Sequence, residues 1–143
     1  MNSTILLGLV ILLGGSYYLV RSRRISGERS QRRDALAQFL ASFPGRRLPD
    51  SLLRQSFAYL LERSRAAGDL DEQHFIVAPG HDLRAVYHMD ELDIEDAALV
   101  IADRAGVRLP RAQELDELRA RVRTVEDLVG FLEPYFQPET VDG

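Results

Sequence analysis

Residues Thr4 to Val20 (TILLGLVILLGGSYYLV) form a run of seventeen uncharged residues, and Arg21, Arg23 and Arg24 follow it directly. As a helix rising about 1.5 Å per residue, the run reaches roughly 25 Å. A bilayer's apolar core is about 30 Å thick, and single spans of roughly 17 to 25 residues are usual. The run reads as a single transmembrane helix at the short end of that range, with Asn2 and Ser3 available to lengthen it. Tyr17 and Tyr18 fall where an aromatic belt meets the head groups. A cleaved signal peptide is the rival reading. It calls for positive residues before the apolar run and a small-residue cleavage site after it. Met1 to Thr4 holds no Arg or Lys, and Tyr-Tyr-Leu-Val-Arg is a poor cleavage site. Arg21, Arg23, Arg24, Arg29, Arg32 and Arg33 crowd the side that follows. The positive-inside tendency then puts Met1 outside and the rest of the chain in the cytoplasm, a single-pass protein of the cell inner membrane.

Charge divides what remains. Residues 1–47 hold eight Arg against Glu28 and Asp34, a net of +6, and residues 48–143 hold ten Arg against twenty acids, a net of −10. The two sum to the chain's net charge of −4. The basic part lies beside the expected membrane, where each Arg near anionic lipid adds about 1 kcal/mol of attraction. The acidic part is ill suited to nucleic acid. A protein partner with a basic surface suits it, and so does the plainer reading of a solvated, solubilising surface. There is no cysteine, which excludes disulfides and thiolate chemistry. All eighteen basic residues are Arg, which reflects a GC-rich genome more simply than a function.

Hydrophobic spacing gives an all-α reading: the anchor over 1–20, a basic linker and short amphipathic helix over 21–47, a helical domain over 48–134 and a loose tail over 135–143. Residues 21–33 lack periodicity and read as linker. Leu36, Phe39, Leu40 and Phe43 make a helical stripe that ends at Pro44-Gly45. That helix is expected to dock on the domain; lying flat on the membrane is the alternative. A second helix spans about Ser51 to Ala67, with Asp50 as its cap and Leu53, Phe57, Leu60, Leu61 and Ser64 on one face. Residues 69–89 show no helical stripe. Phe75–Val77 and Ala85–Tyr87 pair as short strands in one reading; in the other, an ordered loop plugs apolar side chains into the core. A third helix spans Leu92 to Ala105 and ends at Gly106. A segment after Pro110 carries Leu115, Leu118 and Val122. The last helix starts at a Thr124 cap, with Asp127 three residues on and a stripe of Val125, Leu128, Val129 and Leu132, and is expected to end at Pro134.

Residues 90–110 (DELDIEDAALVIADRAGVRLP) resemble the second helix of acyl carrier proteins, which opens on Asp-Ser-Leu-Asp and closes on Gly-Ile or a similar pair, an apolar residue and Pro. Asp90, Leu92 and Asp93 match the opening, and Gly106, Val107, Leu109 and Pro110 match the close. Thr124-Val125-Glu126-Asp127-Leu128-Val129 is similar to the Thr-Val-x-Asp-Leu-Val that opens the family's last helix. The likeness covers about residues 50–134, with a longer segment than usual between Pro110 and Thr124. It implies a small four-helix bundle with a long first loop, residues 51–67 being the first helix and 68–89 the loop.

One position departs from the family. Its serine carries phosphopantetheine, and Glu91 stands there. A carrier needs an alcohol that leaves a stable phosphodiester, whereas a carboxylate would give a labile mixed anhydride. The resemblance therefore implies the fold and a partner surface without the carrier chemistry, and no cofactor is expected. Ser51, in a second Asp-Ser-Leu, opens a helix with no long loop before it and reads as part of a cap, with attachment there the alternative. Glu91 has two readings. An acid in a helix's first turn offsets the helix dipole by about 0.3–1 kcal/mol. Alternatively it stands in for the prosthetic phosphate, so that a reader of carrier domains still engages a surface made by Asp90, Glu91, Leu92, Asp93, Glu95, Asp96 and Asp103.

Little else carries chemistry. His74, His81 and His88 recur every seven residues, with Asp82 beside the middle one, but on a loop this spacing fixes no metal geometry. No nucleophile elbow or phosphate-cradling glycine loop is readable. The expected function is a non-enzymatic, membrane-tethered interaction module that binds a protein partner. A functional carrier modified at another hydroxyl is the alternative, and an enzyme using the 69–89 loop is a third.

Overall fold

The computed structural model describes residues 27–43, 47–66 and 76–137. The chain divides into two compact units, residues 1–34 and 35–143. In the first, residues 27–34 are helical and exposed. The expected anchor, Thr4–Val20, lies outside the described residues, as do His74, Phe75 and most of the tail. No helix among the described residues is long and apolar enough to cross a membrane.

The described residues are all helical or irregular, without a strand. Helix α1 covers 27–41, its residues from Ala35 onward lying in the second unit. There follow α2 (Asp50–Ala66), α3 (Leu83–Tyr87), α4 (Glu91–Ala105), α5 (Ala112–Arg121) and α6 (Val125–Phe136). Helices α2, α4 and α6 each pack against the other two, α5 leans on α4 and α6, and α3 rests on α2. The core is the inner stripes of these helices: Leu52, Phe57 and Leu60 of α2, Ile94, Ala98 and Ile101 of α4, and Val125, Leu128 and Leu132 of α6. Alanines at 97, 98 and 102 are fully buried and leave α4 slender where α2 and α6 press on it.

Docking of the short amphipathic helix is observed. Phe39 is fully buried, its ring 5.3 Å from Phe43 in an edge-on pair and 5.7 Å from Phe57 of α2. Residues 35–43 thus belong to the same core as the helices that follow.

Several local expectations are corrected. Residues 27–33, read as linker, are helical. Asp50 is the first residue of α2 and not its cap; its carboxylate takes the Arg54 guanidinium one turn on, at 2.5 Å. The strand pairing for 85–87 does not form, because these residues are in α3. Asp82 caps α3 by accepting from the backbone N–H groups of Arg84 and Ala85, and His88 ends it in the left-handed region at φ 52°. The other reading, an ordered loop, holds in part: a short helix interrupts it, but apolar side chains do enter the core. Val77, Leu83, Tyr87 and Met89 all plug into the core. Pro134 lies inside α6, which continues to Phe136. Proline there has no N–H to give the Gly130 carbonyl one turn back, so α6 lacks that bond and runs only two residues further.

The N-terminus of α6 is closed by the loop before α3. Val125 donates its N–H to the His81 carbonyl (3.0 Å) and Glu126 to the Pro79 carbonyl (2.8 Å), while Leu83 donates to the Arg123 carbonyl (2.9 Å). Asp127 donates its N–H to the Thr124 hydroxyl and its carboxylate accepts from the N–H of Thr124, a reciprocal box. The donors that a helix start normally leaves open are here taken up by the chain itself.

Candidate functional site

Helix α4 and its N-cap carry every residue of the expected partner surface. Asp90 is its N-cap and accepts from the Asp93 N–H at 2.8 Å, while the Asp93 carboxylate accepts from the Asp90 N–H at 3.1 Å. Gly106 closes the other end in the left-handed region at φ 68°, where an L side chain is strained. Buried Ile94, Ala97, Ala98 and Ile101 hold one side inward. Leu92, Asp96, Leu99 and Asp103, at spacings of four, three and four, therefore share another. Leu92 is 70% exposed, against 53% for Ile76 and 46% for Leu109.

The acids do not form one undivided face, because three of them hold the fold together. Asp93 meets Arg63 of α2 at 2.6 Å. Glu91, in the first turn, meets Arg84 of α3 at 2.9 Å. Glu95 pairs with Arg119 of α5, which also meets Asp116 at 3.0 Å. The hydrogen bond from Arg119 holds the Glu95 carboxyl below the usual range. Exposed pairs of this kind are worth about 0–1 kcal/mol each. Together they fasten α4 to three neighbours. Asp90 is occupied as a cap. Asp96 and Asp103 are exposed, and no ion pair reaches them among the described residues. The charge of Asp96, after burial itself, helps push the Tyr59 hydroxyl up. Ser51 is exposed in the first turn of α2.

His81 sits with Nδ1 3.3 Å from the Tyr87 hydroxyl and 3.4 Å from the Ala78 N–H. Burial pushes the Tyr87 hydroxyl well up. His88 is in the left-handed turn after α3. Among the described residues no three His, Cys, Asp or Glu side chains gather closely enough to hold a metal ion.

The sequence reading missed the basic partners of α4, Arg63, Arg84 and Arg119, because nothing in local spacing marks them. It also missed a shallow groove of about 650 Å³ between α5 and α6, whose walls include Val122, Gly130, Phe131 and Pro134. At its end Arg108 lies over the Tyr135 ring, 4.7 Å from the centroid, and grips Glu114 with both terminal nitrogens. That grip, with the Arg111 N–H, draws the Glu114 carboxyl down to about 2.

No protein-family model matches the chain, and neither does any curated protein or solved structure.

Proposed function

We propose that the chain is a non-enzymatic, membrane-tethered interaction module with an acyl-carrier-like helical fold, binding a protein partner at the cytoplasmic membrane face. The carrying observation is Leu92, a large apolar side chain held 70% exposed at the start of α4, on one side with the exposed acids Asp96 and Asp103. A large apolar residue with carboxylates around it suits an anchor-and-rim contact with a basic surface. Helix order supports the carrier-like reading: a long helix, α2, then a long connection that carries the short α3, then a helix with an acidic first turn, α4. The uncharged run Thr4–Val20 supplies the tether, which raises local concentration and lets a weak contact suffice.

The ion pairs narrow the surface. Glu91, Asp93 and Glu95 are engaged within the fold, so the partner's basic groups meet Asp96 and Asp103 first. A photo-crosslinking residue at position 92 of the full chain is expected to trap a protein partner. Asp96→Arg with Asp103→Arg is expected to abolish the crosslink without loss of helical signal. Crosslinking no greater at 92 than at exposed Gln113 would end the proposal.

A second reading, a functional carrier modified at another hydroxyl, is favoured by one observation: Ser51, within Asp50-Ser51-Leu52, is exposed. Intact mass after incubation with coenzyme A and a phosphopantetheinyl transferase separates the two. The expected result is no change, and gain of a phosphopantetheine group would establish the carrier.

A further inference from the structure

Seven described arginines have their guanidinium groups committed within the second unit. Arg54, Arg63, Arg84, Arg104, Arg108 and Arg119 each meet an acid of the chain, and Arg123 donates to backbone carbonyls. Exposed Arg47, Arg65, Arg111 and Arg121 form no ion pair among the described residues either, but they stand singly along the chain, whereas three fall together in helical residues 27–34. Arg29, Arg32 and Arg33 are exposed, and none forms an ion pair among the described residues. Their spacing of three and four places them on one side of the helix. Glu28, four residues before Arg32, offsets one charge and leaves that side with a net of +2.

We propose that Arg29, Arg32 and Arg33 form a docking face for the anionic headgroups of a phospholipid bilayer. The inference rests on the tethering just proposed. Only eight residues separate Val20, the end of the uncharged run, from Arg29, and three of them are also Arg. A helix side with three long, exposed cations so close to a bilayer gains from every anionic lipid within a screening length of about 8 Å. Three cations along one helix side suit a plane of many phosphates better than one free ion. Nucleic acid is disfavoured by the net −10 of residues 48–143. The face holds residues 27–34 against the membrane surface.

The test uses the full chain in phosphatidylcholine vesicles with a trace of spin-labelled phosphatidylglycerol or spin-labelled phosphatidylcholine. The native chain is expected to draw the anionic lipid into its contact shell about fivefold over the neutral one, the value of one arginine near a charged surface. Arg29→Gln, Arg32→Gln and Arg33→Gln together keep good helix formers at exposed positions, so folding is spared. This variant is expected to lower the preference at least about twofold, and roughly 0.5 M salt to do the same. Equal preference in native and variant chains would overturn the proposal. So would its loss on adding inorganic phosphate at unchanged ionic strength, or capture of the chain by duplex DNA through the same three residues. Alkaline extraction is a separate arm. A chain that leaves the vesicles refutes the tether, and flotation then decides the arginine face alone. Native chain rising with anionic but not neutral vesicles, and the triple variant with neither, upholds it; native chain rising with neither overturns it.

Discussion

Removing the Phe39 side chain probes whether residues 35–43 are part of the cooperative domain. Phe39 is fully buried between Phe43 and Phe57, and the helix that carries it has few other anchors. Phe→Ala in a core costs about 3–5 kcal/mol, out of about 5–15 kcal/mol for a domain of ordinary stability. With a urea slope near 2 kcal/mol per molar, a loss of about 4 kcal/mol lowers the unfolding midpoint by about 2 M. The chain has no tryptophan, so far-UV circular dichroism in mild detergent is the suitable readout. Phe39→Ala combined with Phe57→Ala is expected to cost less than the two singles added, by about 1 kcal/mol for the shared ring contact. Arg32→Ala, at an exposed site, serves as the neutral control. A midpoint change under about 0.5 M for Phe39→Ala, with strict additivity against Phe57→Ala, would refute the reasoning. The domain would then begin at α2.

Three further outcomes are expected. The Ser56 hydroxyl is buried without a hydrogen-bond partner among the described residues. An orphaned polar group costs about 1–3 kcal/mol, so Ser56→Ala should raise the urea midpoint; a lower one would show that a partner is made. Acid should weaken the fold through Glu114, Glu95 and Asp127. Arg108 draws Glu114 down, Arg119 draws Glu95 down, and backbone donors from Thr124 and Arg123 outweigh burial at Asp127. Folded values below unfolded ones mean stability is full above the ordinary carboxylate value and falls as pH drops from about 4.5 toward about 2. Glu114→Gln should flatten that slope, and an unchanged slope would discount the Arg108 grip. On the carrier-like reading proposed above, Glu91→Ser places an alcohol at the exposed start of α4. Intact mass should then show phosphopantetheine after transferase treatment, and no gain, with a genuine carrier modified alongside, would deny the carrier-like surface.

The ion pairs also change what the acidic composition means. The net −10 of residues 48–143 suggests a continuous surface for a basic partner. Folding brings Arg63, Arg84 and Arg119 from other helices onto α4 and neutralises Glu91, Asp93 and Glu95. Leu92, Asp96 and Asp103 remain on offer, a smaller patch with its apolar member most exposed.

Helices α4 and α6 were legible because their boundaries are set locally. An acidic or hydroxyl cap with an acid three residues on, or a glycine able to turn left-handed, acts within one turn whatever the rest of the chain does. Their buried stripes follow the helical period, which one pass along the residues exposes. Residues 76–89 were not legible in the same way. A five-residue helix has almost no periodicity to display, and α3 exists because Asp82 caps it and Leu83 and Tyr87 find a core to enter. Pro134 misled because a proline inside a helix removes one bond without ending the helix at that residue. What composition and period indicated by themselves was an all-α class, with a strand pair left open at 75–77 and 85–87, the main apolar faces and the divided charge. Tertiary structure alone decided which arginine neutralises which acid, and that the loop carbonyls of Pro79 and His81 close α6, since such partners are set by how helices pack and not by their order in the chain.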